Sequence, residues 1–119
     1  WGAIRISDTA GANVVFYNTK IMEEAGVDID SIVTWDDFVK AGKNVAEKTG
    51  KPMTAVETTD MYPFQSMVLQ KGSDFFDAEG NVIINNETNV EILEYLKSWL
   101  DDGIAVTMPG GSNTSENFL

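Results

Sequence analysis

The sequence predicts an α/β fold in which helices cover a small sheet. Short apolar, β-branched runs alternate along the chain with segments whose apolar residues recur at the helical period. Most of the helical segments begin at a recognisable capping residue and end at a glycine. With 119 residues, 43% of them hydrophobic, the chain has the size and composition of one globular domain or less.

The first predicted elements are a strand and a short helix. The run 13–17, NVVFY, is apolar and β-branched, which is typical of a buried strand. Asn18 can then cap a helix over residues 19–25, and Gly26 supplies the left-handed conformation that ends it. Residues 27–33 are predicted to form a connector.

A longer helix follows, over residues 35–48. Thr34 is its candidate N-cap, with Asp37 three residues on as an Asp version of the capping box. Trp35 occupies the first helical position, so we interpret it as a structural residue that folds back over the preceding short helix rather than as a ligand platform. The apolar face of the helix consists of Phe38, Ala41, Gly42, Val45 and Ala46.

The second half of the chain continues the alternation. Residues 51–57 are predicted to form a strand with Pro52 at its start, where a missing donor is tolerated. Residues 62–72 form the next predicted helix, with Pro63 at its first position and Gly72 at its end. Residues 75–84 then predict a hairpin that turns between Asp77 and Asn81, with Gly80 at positive φ.

The last predicted helix ends at Gly103. Thr88 and Glu91 predict a second capping box at its start. Residues 107–119 are rich in Gly, Ser and Asn and are predicted to form a loop. The apolar stripe of the helix consists of Ile92, Leu93, Leu96, Trp99 and Leu100.

Composition excludes several classes of function. The net charge of −11 repels nucleic acids and anionic lipid. The sequence contains no Cys and no His, which excludes disulfides, zinc–thiolate sites and His-based triads. Residues 77–88 depart from a calcium loop at Val82 and Thr88, which favours a hairpin turn. We therefore expect no cofactor, no metal site and no nucleic-acid partner.

The segment 58–65, TTDMYPFQ, is the candidate binding site. It follows a predicted strand and precedes a helix, and ligands of open α/β sheets lie beyond the carboxyl ends of strands. Asp60, Tyr62 and Gln65 offer an acid, a ring face and an amide, which suit a polyhydroxylated ligand. The alternative is an ordinary loop whose Tyr62 and Phe64 pack on the core.

Paired carboxylates raise a second hypothesis, a glycoside hydrolase module. Asp60 with Asp8 or Glu57 could supply such a pair, since these acids stand beside predicted strand ends. Nothing in the sequence brings two of them to the separation of about 5–9 Å that glycoside hydrolysis requires.

Several short motifs, in order and at fixed spacing over residues 10–105, resemble those of a known family. They are Tyr17-Asn18, Ala25-Gly26, Thr34 to Phe38, Gly72 with Phe76 to Val82, and Asp102-Gly103. Together they are similar to the bacterial extracellular solute-binding proteins of family 1, the maltose-binding-protein-like sugar receptors of ABC importers. The resemblance implies a two-lobed, type II periplasmic-binding-protein fold and a role in binding rather than catalysis.

The resemblance also implies an organisation for the chain. Residues 1–12 would be a hinge-crossover segment and residues 13–119 part of the C-terminal lobe, so we expect the chain to be a piece of a longer receptor. That receptor would bind a carbohydrate and dock on ABC permease subunits, as a lipoprotein or in the periplasm. Exposed apolar surface left by a missing lobe would allow the piece to dimerise.

Ligand contacts are implied at two places. By position they fall on Asp8 or Thr9 in the crossover and on Asp60, Met61 and Tyr62 before the Pro-containing helix. The crossover match is looser, because the segment 8–13, DTAGAN, is a residue or two longer than the common family form.

Overall fold

The structure, a computed structural model, describes residues 15–109 apart from the side chain of Tyr62. The described residues form four α-helices and two parallel strands, which pair in a small sheet, although the first two helices follow one another with no strand between them, as do the last two. The α/β class is therefore confirmed. In chain order the elements are helix α1 (Thr19–Ala25), a 3-10 turn (Ile29–Ser31), helix α2 (Trp35–Thr49), strand β1 (Thr54–Glu57), helix α3 (Tyr62–Gln70), helix α4 (Glu87–Asp101) and strand β2 (Ala105–Met108).

The predicted caps of α1 and α2 are confirmed. The Oδ1 atom of Asn18 accepts from the backbone N–H of Lys20 at 3.1 Å, and Gly26 ends α1 with φ of 65°. In the capping box of α2, Thr34 Oγ1 accepts from the Asp37 N–H at 3.2 Å, and Asp37 Oδ2 accepts from the Thr34 N–H at 3.0 Å. The hydrogen bonds from Thr34 hold the pKa of the Asp37 carboxyl below its usual value.

Helix α1 packs against α2 through buried small residues and one long side chain. Ala25 and Val45 are fully buried between the two helices. Lys48 Nζ donates to the backbone oxygen of Ala25 at 2.7 Å, which satisfies a carbonyl at the end of α1.

The sheet is formed by β1 and β2 in parallel, with Thr54 opposite Ala105 and Glu57 opposite Met108. The strand predicted over 51–57 is confirmed, but it is shorter. It begins at Thr54, so Pro52 lies outside the paired residues. Strand β2 was not predicted, and its last two residues belong to the stretch expected to be loop. A four-residue strand whose partner lies about fifty positions earlier carries little local signal.

The strand predicted over 13–17 is wrong for the residues that the structure describes. Residues 15–17 have no regular secondary structure, and Val15 and Phe16 are exposed. A strand exists only where a neighbour pairs with its backbone, and apolar, β-branched residues do not by themselves supply that neighbour.

Helices α3 and α4 pack together with the sheet around one core. The α4 stripe is confirmed at Ile92, Leu96 and Trp99, whereas Leu93 lies on the exposed side of the helix. Across α2, Gly42 allows a close approach, since a Cβ atom there would lie 3.0 Å from Cβ of Ile104. The buried core residues are Met67, Val68, Phe75, Ile92, Leu96, Trp99, Ile104 and Ala105.

Trp35 is a structural residue, but its predicted position over α1 is wrong. Its ring lies 5.5 Å from those of Phe38 and Trp99, and its Nε1 donates to Gln70 Oε1 at 2.9 Å. Trp35 therefore ties the start of α2 to α4 and to the end of α3.

The boundaries of α3 differ slightly from the prediction. The helix begins at Tyr62, so Pro63 occupies its second position, and it ends at Gln70 with Gly72 beyond it at φ of 74°. The helices of the described region are too short or too polar to cross a membrane.

The capping box predicted at Thr88 and Glu91 is wrong, because Asn86 caps α4. Asn86 Oδ1 accepts from the Asn89 N–H at 2.9 Å, while Asn86 Nδ2 donates to the Ile83 oxygen at 2.7 Å. Helix α4 begins at Glu87, which places Thr88 inside the first turn. The side-chain amide of Asn86 thus accepts from the helix through Oδ1 and donates to the preceding hairpin through Nδ2.

We expect Asn86→Ala to lower the free energy of unfolding by about 1–2 kcal/mol, the usual cost of a lost N-cap. Thr88→Ala, two residues on, should change it by less than about 0.5 kcal/mol. Urea unfolding followed by circular dichroism measures both. A larger loss for Thr88→Ala than for Asn86→Ala would contradict the assignment of the cap.

Candidate functional site

The candidate site lies at the carboxyl ends of the two parallel strands. Strand β1 ends at Glu57 and β2 at Met108, and these residues are paired. The next residue, Thr58, donates its N–H to the Met108 oxygen at 2.9 Å and its hydroxyl to the same oxygen at 3.3 Å. The loop that follows β1 is therefore tied to both strands, at the edge where open α/β sheets bind ligands.

This loop passes into α3 within four residues. Met61 is the N-cap residue, and its backbone oxygen accepts from the Gln65 N–H at 2.8 Å. The Met61 side chain is exposed, whereas Asp60 and Gln65 are half-buried. Backbone hydrogen bonds thus hold an acid, a thioether and an amide within one turn of the chain.

The predicted contact residues fall into three groups according to how much of each the structure describes. Asp60 and Met61 directly precede α3, and Gln65 lies in its first turn. The backbone of Tyr62 opens the helix, but its side chain is outside the described part of the structure. Asp8 and Thr9, and with them the crossover contacts, also lie outside the described residues.

The alternative interpretation of this segment is an ordinary loop whose Tyr62 and Phe64 pack on the core. The position of Phe64 tests one of these two contacts. Its ring stacks on that of Phe75 at 5.7 Å and packs against the core. Phe64 is therefore a core residue, as the ordinary-loop hypothesis expects, and it anchors α3 beneath the loop. The role of Tyr62 stays a prediction.

The structure places two of the three carboxylates of the hydrolase hypothesis. Glu57 is half-buried within β1, Asp60 belongs to the loop, and Asp8 lies outside the described residues. Between residues 15 and 109, no three acidic side chains converge in a way that could hold a metal ion.

Sequence analysis missed the part of this edge that β2 contributes. Thr107 and Met108 end beside Thr58 and complete the carboxyl edge of the sheet. The available signal was the short apolar run 104–108 directly after the helix-ending Gly103.

An apolar hollow of about 620 Å³ opens between α1 and the sheet. Phe16, Ile21, Met53 and Val106 are among its lining residues, whereas Asp60, Met61 and Gln65 do not border it. The hollow is mostly apolar but includes the polar residues Tyr17, Asn18 and Thr54, and it reaches Glu57 and Met108, so it adjoins the carboxyl edge from which the candidate loop leaves.

Comparison with known proteins decides the family. The sequence model of the bacterial extracellular solute-binding proteins matches residues 5–119, nearly the whole chain. The chain belongs to this family. The resemblance of the sequence motifs to solute-binding proteins is thereby confirmed.

Two relatives within the solute-binding proteins are similar along most of the chain. The arabinooligosaccharide-binding protein of Bacillus subtilis is 48% identical over 108 residues, which cover 91% of this chain and 25% of the relative. That of Halalkalibacterium halodurans is 50% identical over 109 residues, or 91% of this chain and 24% of the relative. The chain thus spans about a quarter of the length of these two relatives.

A solved solute-binding protein shares the fold. The cyclic α-maltosyl-1,6-maltose binding protein of Arthrobacter globiformis matches with a TM-score of 0.67 at 27% identity, over 84% of this chain and 27% of its own. The chain is therefore an α/β part of a type II periplasmic-binding-protein fold, as predicted. The solute-binding proteins to which the chain is similar are binding proteins and not enzymes.

Proposed function

We propose that this chain supplies part of the C-terminal lobe of a bacterial receptor that binds an oligosaccharide for an ABC importer. The observation that carries the proposal is the position of the loop around Asp60. It leaves the carboxyl edge of a parallel sheet in a chain that is about half identical to arabinooligosaccharide-binding proteins. We assign residues 1–12 to the crossover between lobes and 13–119 to the partial lobe.

The ligand class follows from the groups at the start of α3. The Asp60 carboxylate and the Gln65 amide can pair with sugar hydroxyls, and a Tyr62 ring face can cover an apolar C–H patch. Asp8 and Thr9 would add contacts from the crossover. The identity to the two relatives makes an arabinooligosaccharide the first ligand to test.

Binding would be coupled to closure of two lobes. A ligand that touches both lobes stabilises the closed state by its additional contacts there, and the closed receptor then presents the sugar to the permease subunits. No bond is made or broken in this cycle, so the proposal includes no catalysis. The receptor would act outside the cytoplasmic membrane, as a lipoprotein or in the periplasm.

Isothermal titration calorimetry on the receptor that contains this chain tests the proposal. We expect an arabinooligosaccharide mixture to bind with a Kd of about 10 μM or tighter, corresponding to about −7 kcal/mol. Maltooligosaccharides of matched length serve as the specificity control. A receptor that binds neither set of sugars is not the carbohydrate receptor proposed here.

The same preparation separates binding from hydrolysis. Incubation with nitrophenyl arabinosides and glucosides should release no nitrophenol, because the proposed role contains no catalytic step. Turnover that is lost in an Asp60→Asn variant would instead establish the hydrolase hypothesis.

A further inference from the structure

The loop that carries Asp60 is short and is fixed at both of its ends. It occupies the four residues 58–61 between β1 and α3. At the helix end, the Met61 oxygen accepts from the Gln65 N–H at 2.8 Å. At the strand end, the Thr58 N–H donates to the Met108 oxygen at 2.9 Å. Asp60 lies next to Met61 and two residues from Thr58, so a shift at either end of the loop moves its carboxylate.

Thr58 holds the strand end of the loop with two hydrogen bonds to one atom. Its N–H extends the parallel ladder by one bond past Glu57, the last residue of β1. Its hydroxyl donates to the same Met108 oxygen at 3.3 Å. Because two donor atoms of one residue converge on one acceptor, they restrain the orientation of Thr58 as well as its distance from β2. A side chain of the same shape without a hydroxyl would keep only the first bond.

The Met108 oxygen is a stiff acceptor. Met108 is the last residue of β2 and is followed by Pro109. Proline fixes its own φ and restricts the residue before it to extended backbone, so Met108 is held extended both by the ladder and by its neighbour. The bonds from Thr58 therefore fix the loop relative to a rigid part of the sheet.

The hydroxyl bond of Thr58 differs from comparable bonds elsewhere in residues 15–109. The hydroxyls of Thr49, Ser98 and Ser31 donate to backbone oxygens no more than four positions away. Such bonds satisfy carbonyls of the turn or helix in which they occur. The Thr58 bond spans fifty positions and joins the two strands at the edge from which the candidate loop leaves. It therefore fixes the geometry of the loop and not that of a helix.

We infer that Thr58 is a positioning residue for sugar binding, whose hydroxyl bond to Met108 sets the loop so that Asp60 meets the ligand. The inference rests on the proposed function, in which Asp60 accepts from sugar hydroxyls. A loop that is already ordered loses little conformational freedom when the sugar binds, whereas a loosened loop is ordered at the expense of affinity. Thr58 acts through the loop and not by contact with the sugar.

Calorimetry on the whole receptor with arabinooligosaccharide tests this role. Thr58→Val removes the hydroxyl and keeps both the branched shape and the backbone N–H. We expect it to lower the affinity about three- to tenfold, the range that one hydrogen bond sets. Thr58→Ser retains the hydroxyl and should bind within about twofold of the unmodified receptor. Thr49→Val is the matched control, since it removes a hydroxyl–carbonyl bond of 2.7 Å at the end of α2 and should leave the affinity unchanged.

A double-mutant cycle with Asp60→Asn distinguishes positioning from a direct contact. If Thr58 acts through Asp60, Thr58→Val lowers the affinity less than about twofold further in the Asp60→Asn receptor. The sugar-free unfolding temperature should fall no more in Thr58→Val than in Thr49→Val.

Several results would overturn the inference and leave the proposed function intact. They are an unchanged affinity in Thr58→Val, a loss that Thr58→Ser shares, and a loss that is fully retained in the Asp60→Asn background. An equal loss of affinity in Thr49→Val would also overturn it, because the effect would then follow general stability. An unmodified receptor that binds no sugar refutes the proposed function itself, and the inference with it.

Discussion

Replacement of Trp99 by alanine is expected to lower the free energy of unfolding of the chain by about 3–5 kcal/mol. Trp99 is 5% exposed and lies at the centre of an aromatic cluster. Its ring is 5.1 Å from that of Phe38 and 5.5 Å from those of Trp35 and Tyr95. Removal of the indole would leave a cavity between α2 and α4 and would take away every one of these contacts.

Two buried polar atoms in this cluster affect the expected stability of Trp99 variants. Among residues 15–109, the Tyr95 hydroxyl and the Trp99 Nε1 atom are buried with no hydrogen-bond partner. Burial raises the pKa of the Tyr95 hydroxyl, and the negative charge of Asp36 raises it further. An unpaired buried donor costs about 1–3 kcal/mol, so Trp99 stabilises the chain in spite of its N–H group.

Trp99→Phe separates ring packing from the unpaired donor. Phenylalanine keeps much of the ring contact and removes the N–H group, so we expect a stability within about 1 kcal/mol of the unchanged chain. Trp35→Ala is the matched substitution at the half-exposed ring of the same cluster, and it should cost less than half as much as Trp99→Ala. Chemical unfolding followed by circular dichroism compares all three. Equal losses for Trp35→Ala and Trp99→Ala would refute a core centred on Trp99.

The helices of this fold could be predicted closely because their boundaries are determined by local chemistry. Asn18, Thr34 and Asp37 satisfy backbone groups within four residues of themselves, and Gly26 and Gly50 end helices through their own φ angles. Such interactions are complete within a short window of sequence. At α4 the same logic failed, because Asn86 also bonds to the preceding hairpin and so outcompetes Thr88 for the cap.

The strands and part of the site depend on partners far along the chain. Residues 15–17 look like a strand and are not one in the described structure, whereas 105–108 form β2 only because β1 lies beside them. The location of the loop around Asp60 followed from the order of strand and helix. The attachment of this loop to Met108 could not be predicted, since no local sequence pattern indicates a hydrogen bond that spans fifty residues.

Substitutions in the Asp60 loop should weaken sugar binding. A hydroxyl–carboxylate hydrogen bond of about 1.5–3 kcal/mol predicts that Asp60→Asn lowers the affinity of the whole receptor for arabinooligosaccharide at least about tenfold. Tyr62→Ala should lower it about tenfold through loss of a ring face, whereas Tyr62→Phe should retain it. Calorimetry gives the affinities, and the unfolding temperature of the sugar-free receptor gives the stability of each variant.

The unfolding temperature distinguishes the two hypotheses for Tyr62. If the ring contacts sugar, Tyr62→Ala changes affinity and leaves the sugar-free unfolding temperature near that of the unchanged receptor. If Tyr62 packs on the core as Phe64 does, the same substitution lowers the unfolding temperature by several degrees, since a large aromatic truncation costs about 3 kcal/mol or more. Asp30→Asn, in the exposed turn before α2, removes the same charge at a distance in sequence from the loop and should leave both quantities unchanged. A receptor whose affinity survives both Asp60→Asn and Tyr62→Ala binds its ligand elsewhere.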